Sequence, residues 1–248
     1  MVVVDALSKR FGRLEVLKGV SATFEPGKVT AVVGPNASGK TTLMKSILGL
    51  VLPDAGDVTI GGVSVRNNPA SRKRVGYMAQ EPRFPDNLKI SELFKFVQDL
   101  RAERPGGLDD LIDYFDLRPH LGKPIRSLSG GTRQKASAVL TFLFSPRVLL
   151  LDEPSAGLDP VASSRLKDRI MQERDNGATV LLTSHVMSEL EELADEVLFL
   201  LEGTVRFRDT LGAIRAMTGE SRLERAVAKL MSGETPVTDF RLVKGGRA

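Results

Sequence analysis

The sequence contains no cysteine and no tryptophan, and its aromatic residues amount to only 5%. A disulfide framework is therefore excluded, which fits a reducing compartment. Few aromatic rings argue against a stacking platform for single-stranded nucleic acid. No run of about 18 apolar residues could cross a membrane, and Met1–Asp5 lacks the basic segment that begins a secretory signal. The sequence thus predicts a chain with neither a membrane span nor a secretory signal.

The charge of the chain is mild for its 248 residues. The formal net charge of +4 could favour an anionic membrane face or nucleic acid, but a mixed solvated surface is the stronger interpretation. Hydrophobic residues make up 42% of the sequence, enough for a sizeable core. The length lies between that of one large domain and that of two small ones.

The clearest motif is a glycine-rich stretch between the β-branched run Val29–Val33 and a helical pattern. It consists of Gly34, Pro35, Asn36, Ala37, Ser38, Gly39, Lys40, Thr41 and Thr42. A strand, G-x-x-x-x-G-K-T and a helix in this order predict a P-loop, whose backbone N–H groups surround phosphates. Lys40 would then contact the β- and γ-phosphates, and the Thr41 hydroxyl could bind Mg²⁺. The alternative is an ordinary glycine-rich turn between a strand and a helix.

Two adjacent carboxylates, Asp152 and Glu153, follow the all-apolar run Val148–Leu151. Such a run is typical of a strand with both faces covered, so packing does not explain the acids at its end. In a P-loop fold an acid at this point holds Mg²⁺, which we predict for Asp152. Glu153 is predicted to orient or deprotonate the attacking water. The alternative is a pair of acids on a solvated loop.

The two histidines receive different interpretations. His185 comes just after the predicted buried strand Thr179–Thr183, beside the two acids, and this position predicts a contact with the γ-phosphate. His120 lies in a loop flanked by proline and is assigned no function.

A second glycine pair occurs in Leu128–Lys135, which leads into a helix predicted from about Thr132 to Phe144. A serine and two glycines at a helix start present free N–H groups to an anion, although an ordinary N-cap explains them as well. Further on, Asp159 is predicted to cap a helix that Pro160 begins.

Two single residues are also candidates. Gln80 ends the predicted strand Val75–Gln80, and two prolines follow it. Phe11 is an aromatic residue in polar surroundings: it is either a hydrophobic plug on a hairpin or a ring that stacks on a purine base.

Together these motifs resemble the ATP-binding subunit of an ABC transporter over about residues 2–210. Phe11 matches the aromatic residue that stacks on adenine, Gly34 to Thr41 match Walker A, and Gln80 matches the Q-loop. Leu128 to Gln134 match the LSGGQ-type signature, and Val148 to Glu153 match Walker B. Ser155 to Asp159 match the D-loop, and His185 matches the switch histidine. The order and spacing of these motifs leave little room for coincidence. The sequence departs from the family pattern at Ala37, where glycine is frequent, and at Thr132, where glutamine is frequent.

The resemblance implies an α/β fold with a P-loop NTPase core, an antiparallel β subdomain and an inserted α-helical subdomain at about residues 81–145. The cassette would span residues 1–210. Residues 211–248 would form a C-terminal helical extension and a polar tail. This extension shows two short amphipathic helices, and the second carries an apolar stripe of Leu223, Val227, Leu230 and Met231.

The resemblance also implies a head-to-tail dimer that closes on two ATP molecules, with ATP and Mg²⁺ as cofactors. Each nucleotide would lie between Walker A of one copy and Ser129, Gly130 and Gly131 of the other, and Asp159 belongs to the same nucleotide-binding set. Glu153, His185 and Gln80 form the implied catalytic set. Thr41, Gln80 and Asp152 form the implied metal set.

The implied partner is an integral membrane permease, which places the chain at the cytoplasmic face of the cell membrane as a peripheral subunit. Glu81–Leu88 would carry movement to the permease, with Phe84 and Phe96 as contacts, and no nucleic acid is expected. The chain length and the Glu-rich Ser188–Glu192 are similar to the exporter-like branch. Residues 221–225 are similar to ATPases that support copper-site assembly of nitrous oxide reductase. Import stays an open alternative for the direction of transport.

Two other functions compete with transport. An ABC-type ATPase that acts on nucleic acid or the ribosome would carry a long coiled-coil insertion or a second cassette, and the sequence has neither. A regulatory module that holds ATP without hydrolysing it would lack Lys40, Glu153 or His185, and all three are present.

Overall fold

The computed structural model of the protein describes residues 1–66 and 68–232. The strands are β1 (Val2–Phe11), β2 (Leu14–Phe24), β3 (Lys28–Val33), β4 (Ala55–Ile60), β5 (Val63–Ser64), β6 (Val75–Met78), β7 (Val148–Asp152), β8 (Thr179–Thr183), β9 (Glu196–Leu201) and β10 (Thr204–Thr210). The helices are α1 (Lys40–Ile47), α2 (Ile90–Arg101), α3 (Leu108–Tyr114), α4 (Gly130–Phe142), α5 (Pro160–Asp175), α6 (Met187–Leu193), α7 (Leu211–Thr218) and α8 (Leu223–Ser232). None of the helices in this described part combines the length and hydropathy that a membrane span requires.

A six-stranded sheet in the order β10-β9-β3-β8-β7-β6 positions most of the site. Its strands pair in parallel from β9 to β6, and β10 pairs antiparallel with β9 at one edge. Both β7 and β8 are buried along their whole length, as the apolar run before Asp152 predicts. The carboxyl ends of parallel strands lie at one edge of the sheet, so the segments that follow β3, β6, β7 and β8 meet there.

A second, antiparallel sheet has the order β2-β1-β4-β5. Helix α1 lies between the two sheets, because Leu43 and Met44 belong to a buried cluster that includes Val4 of β1 and Leu150 of β7. The fold is therefore the predicted P-loop core with an antiparallel β subdomain, and the sheets fix the start of α1.

Helices α2, α3 and α4 fall within the segment predicted to be helical. Phe115 and Phe142 stack there with ring centroids 6.4 Å apart. Leu100 of α2 is 74% exposed, and the buried face of this helix extends to Gln98 instead. One expectation was wrong in detail. Helix α4 begins at Gly130, two residues before the predicted start, because Ser129 already provides its N-cap.

The two short helices predicted after Thr210 are present as α7 and α8. Leu223, Val227 and Leu230 are buried as the stripe of α8 predicts, in the same cluster as residues of α6 and β9. The side chain of Met231 and residues 233–248, where the polar tail was predicted, lie outside the described residues. The division of the chain after residue 210 stays a prediction.

Candidate nucleotide and catalytic site

The P-loop joins β3 to α1, and its backbone requires glycine at two points. A Cβ on Gly34 would lie 2.0 Å from the carbonyl oxygen of Leu200. Gly39, the N-cap of α1, has φ +108°, which L-residues with a side chain rarely adopt. Ala37 also has positive φ, +64°, which explains why the family often has glycine at this position. The loop therefore brings its backbone closer to the sheet than side chains would allow.

Lys40 lies at the inner side of this loop. Its Nζ donates to the carbonyl oxygens of Gly34 at 2.7 Å and Pro35 at 3.0 Å. Burial lowers the pKa of the Lys40 ammonium, and the nearby carboxylates of Glu153 and Asp152 oppose that shift. Ser38 is buried too, and among the described residues nothing hydrogen-bonds to its Oγ. The loop thus offers a cation and an unpaired hydroxyl, a donor set that fits a phosphate group.

Asp152 is buried at the end of β7, and two threonine hydroxyls orient it. The Thr183 Oγ1 donates to Asp152 Oδ1 at 2.6 Å, and the Thr41 Oγ1 donates to Oδ2 at 3.3 Å. The paired register of β7 and β8 places Thr183 beside Asp152. Thr41 and Asp152, both predicted metal ligands, therefore lie within hydrogen-bonding distance of each other.

Glu153 follows directly with a left-handed backbone, φ +52°. Its N–H donates to Thr183 at 3.1 Å, both to the carbonyl oxygen and to Oγ1. Its Oε1 lies 2.9 Å from His185 Nε2. Burial raises the pKa of the Glu153 carboxyl above its ordinary 4.5, Asp152 adds to that rise, and His185 and Lys40 oppose it. A carboxylate with a raised pKa is better suited to accept a proton than an exposed one.

The P-loop, the two acids and His185 share one cleft of about 300 Å³. Its lining consists of Leu14, Val16, Asn36, Ala37, Ser38, Gly39, Lys40, Thr41, Thr42, Gln80, Asp152, Glu153 and His185. Gln80 therefore lies in the same cleft as Glu153 and His185, and its catalytic role stays a prediction. Phe11, at the end of β1, is 51% exposed and is not part of this lining. Leu14, its partner across the β1–β2 hairpin, lines the cleft in its place together with Val16.

The signature residues lie outside this cleft within the chain. Ser129 Oγ caps α4 by accepting from the N–H of Thr132 at 3.1 Å, and the hydroxyls of Ser129 and Thr132 are 2.9 Å apart. A Cβ on Gly131 would lie 2.7 Å from the carbonyl oxygen of Gly157, whereas a Cβ on Gly130 would meet nothing within 4 Å. Packing within the chain thus explains Gly131 and leaves Gly130 unexplained.

Asp159 has a structural role in the chain, as the predicted N-cap. Its Oδ1 accepts from the N–H of Ala162 at 2.9 Å, and its Oδ2 lies 3.2 Å from Lys135 Nζ. These two contacts lower the pKa of Asp159, the N–H of Ala162 most strongly. Asp159 also lies outside the cleft that Lys40 lines.

One buried polar residue of this region had no role of its own in the sequence analysis. Gln134 on α4 donates through Nε2 to the carbonyl oxygen of Pro154 at 3.0 Å and faces that of Ala79 at 3.5 Å. It therefore joins the signature helix to the residues that follow Glu153 and precede Gln80. A polar residue within a helix gives no sequence signal for such a contact.

This fold and this cleft define a P-loop nucleotide-hydrolysing protein. The sequence profile of the ABC transporter family matches residues 17–156, and the chain belongs to that family.

Comparison with known proteins gives the same assignment. The daunorubicin resistance ATP-binding protein DrrA3 of Streptomyces coeruleorubidus is 34% identical, over 98% of this chain and 82% of its own length. The Nod factor export ATP-binding protein I of Ralstonia nicotianae is 32% identical, over 81% of this chain and 64% of its own length.

Two solved structures share the fold. An ATP-binding subunit of an ABC transporter has a TM-score of 0.88 and 28% identity, over 93% of this chain and 99% of that one. An ATP-binding cassette solved as a dimer with ADP and Pi has a TM-score of 0.74 and 21% identity. This similarity covers 85% of this chain and 99% of that one. The protein is thus an ATP-binding and ATP-hydrolysing subunit of an ABC transporter, as the resemblance implied.

Proposed function

We propose that Glu153 is the general base for ATP hydrolysis and that His185 holds it in place and contacts the γ-phosphate. The observation that carries this proposal is the 2.9 Å contact between Glu153 Oε1 and His185 Nε2 in the cleft that also contains Lys40. Lys40 binds the β- and γ-phosphates, and Gln80 at the rim responds to the γ-phosphate. Leu14 and Val16 supply apolar surface for the base, and Phe11 extends that surface from the hairpin.

Mg²⁺ fits the donor set of this cleft. Thr41, Asp152 and Gln80 provide hard oxygen ligands with a single carboxylate, and Mg²⁺ is commonly bound by one or two carboxylates together with substrate phosphates. These three side chains would leave the remaining ligand positions of Mg²⁺ to ATP and water. Bound there, Mg²⁺ would neutralise charge on the transferred phosphoryl group.

The second copy of the chain completes each site in this proposal. Ser129, Gly130 and Gly131 begin α4, whose N-terminal N–H groups favour an anion. Both Ser129 and Gly130 are exposed, and no atom of the chain comes within 4 Å of a Cβ on Gly130. A phosphate bound at Lys40 of the partner copy explains that open glycine. Asp159 then acts on the same face by fixing the start of α5.

The permease is proposed to dock at a larger cleft of about 830 Å³. Its lining includes Gln80, Glu81 and Phe84, together with Arg133 of α4. Because Gln80 lines both this cleft and the nucleotide cleft, a partner here can respond to the γ-phosphate. A permease docked here would hold the protein at the cytoplasmic face of the membrane, and Phe96 of α2, 52% exposed, is proposed as a further contact.

Export is the proposed direction of transport. The names of two relatives refer to drug resistance and to Nod factor export. The similarity of residues 221–225 to ATPases of copper-site assembly stays a prediction, since those residues form only the start of α8 and the turn before it.

Co-purification tests the transport function directly. The tagged chain is expressed with its neighbouring genes, and membranes are solubilised and analysed for partners and for ATPase activity. We expect recovery with a polytopic protein that stimulates ATP hydrolysis, and loss of that stimulation when Phe84 is replaced by Asp. Recovery with ribosomes or nucleic acid, and no membrane partner, would favour the non-transport ATPase instead.

A further inference from the structure

The loop that carries His185 is held by a buried carboxylate that belongs to none of the motifs above. The hydroxyl of Ser184 donates to Glu189 Oε2 at 2.6 Å and accepts from the N–H of Val186 at 3.0 Å. These two hydrogen bonds fix the residues on both sides of His185, whose own side chain is 56% exposed. His185 is therefore oriented by its neighbours in the chain rather than by packing of its ring.

Glu189 is a buried carboxylate whose Oε2 accepts the hydrogen bond from Ser184. It is 7% exposed, and among the described residues no donor reaches its second oxygen, Oε1. Burying a carboxyl group with half of its hydrogen bonds unmade costs free energy. A carboxyl group buried in this way adds little to the stability of the fold. Its position is better explained by its contact with the loop that carries His185.

Helix α6, which carries Glu189, is anchored on two other sides. Glu192 Oε2 accepts from Lys167 Nζ of α5 at 2.5 Å. Glu191 Oε1 accepts from the N–H of Leu223 at the start of α8 and lies 3.4 Å from Arg215 Nη2 of α7. These contacts connect the helix to α5 and to both C-terminal helices, so Glu189 holds Ser184 from a fixed support.

We propose that Glu189 is a positioning residue for ATP hydrolysis, which acts through Ser184 to hold His185 against Glu153. The inference rests on the proposed role of His185, and it extends the catalytic machinery by a pair of residues that never touch ATP. Loss of the Ser184–Glu189 hydrogen bond frees the peptide groups around His185. The 2.9 Å contact with Glu153 is then populated less often.

Paired substitutions at two glutamates of the same helix test this role. Glu189→Leu removes the acceptor, whereas Glu189→Gln keeps a carbonyl oxygen that the Ser184 hydroxyl can reach. The same two substitutions at Glu192 serve as controls, because they remove only an exposed ion pair and leave the Ser184–Glu189 hydrogen bond and the Glu191 anchors of α6 in place. We expect Glu189→Leu to lower kcat about ten- to a hundred-fold with KM for ATP changed less than about two-fold, as for a misplaced catalytic group. Glu189→Gln and both Glu192 variants should stay within about three-fold of the parent, because they keep the acceptor or lie outside the loop.

Histidine NMR gives a readout that does not depend on turnover. The chain has only two histidines, so the imidazole resonances are assigned with a His120→Ala variant. We expect Glu189→Leu and Ser184→Ala to shift the His185 resonances and to leave those of His120 in place. Both Glu192 variants should leave the imidazole resonances of His185 and His120 unchanged.

The outcomes separate this inference from the function on which it rests. Folded Glu189→Leu protein with unchanged His185 resonances would overturn the positioning role, whatever its kcat. Shifted resonances with an unchanged kcat would overturn the role of Glu189 in hydrolysis, whereas a His185→Ala variant with the parent kcat would overturn the role of His185 on which the inference rests. If Glu189→Leu does not fold, Ser184→Ala decides the same question, because it removes one hydroxyl and no buried charge.

Discussion

At the scale of single residues, the proposed chemistry depends on how Glu153 is held. Its left-handed backbone and its hydrogen bonds to Thr183 turn the side chain away from β7 and toward His185. A non-glycine residue in this conformation costs about 1 kcal/mol or more. Glu202 has the same backbone conformation, so what distinguishes Glu153 is its contact with His185 in the cleft.

Glu153→Gln is predicted to separate ATP binding from hydrolysis. Glutamine keeps the size of the side chain but cannot accept a proton, so ATP affinity should stay within about three-fold while kcat falls at least about a hundred-fold. Fluorescent-nucleotide binding and phosphate release measure the two quantities.

Glu202→Gln is the control for that substitution. Glu202 also has a left-handed backbone, φ +49°, but its side chain is 73% exposed. Its replacement should leave hydrolysis unchanged. Brisk ATP turnover by Glu153→Gln would remove Glu153 from the role of general base.

The pH dependence of kcat/KM, which reports ionisable groups of the free enzyme, should show the raised pKa of Glu153. Below that pKa the carboxyl is protonated and cannot take a proton from water, so the rate falls as the pH is lowered. Because burial raises the pKa, the midpoint of this fall should lie above 4.5, the ordinary value for glutamate. Steady-state rates over an acidic pH series measure it, and the residual rate of Glu153→Gln should lack the same fall. If Glu153→Gln showed a fall with the same midpoint as the parent, the titrating group would not be Glu153.

At the scale of elements, the start of α4 holds two neighbouring glycines with different reasons to be glycine. Gly131 lies against the D-loop, where a Cβ would come within 2.7 Å of the Gly157 carbonyl oxygen. Gly130 faces open space in the chain. Packing within the chain therefore requires glycine at position 131, whereas the proposed contact with a second copy explains the glycine at position 130.

Substituting each glycine by alanine is predicted to give opposite phenotypes. Gly131→Ala should lower the melting temperature by several degrees, since overpacking costs about 1–3 kcal/mol. Gly130→Ala should leave the melting temperature unchanged within about 1 °C but weaken ATP-dependent dimerisation at least about ten-fold. Calorimetry and sedimentation measure the two effects. Unchanged dimerisation in Gly130→Ala would contradict the placement of the signature at the nucleotide of another copy.

The difference between predicted and unpredicted features follows the range of the interactions. The positions of the P-loop, Asp152 and His185 could be predicted because each lies at or just after the end of a buried strand, and parallel strands end at one edge of the sheet. Glu189 could not, because its burial depends on α6 being held by α5 and α8, which lie far apart in the chain. The same applies to Leu14, which lines the cleft because the β1–β2 hairpin folds over the P-loop.

At the scale of the whole molecule, the proposal divides each nucleotide site between two regions of the chain that do not meet. Lys40, Asp152 and Glu153 line one cleft, and Ser129 and Gly130 lie outside it. In the proposed head-to-tail dimer each half meets its complement in the other copy, so ATP stabilises the dimer and hydrolysis releases it. Binding energy that differs between two states is what drives such a switch.

The most direct measurement is the mass of Glu153→Gln in solution by light scattering, with Mg²⁺ and either ATP or ADP. The account predicts twice the 26.9 kDa of the single chain with ATP, the single chain with ADP, and loss of the dimer when Gly130→Ala is added. A chain that binds ATP and stays a monomer at every concentration would contradict the proposal that two copies share each site.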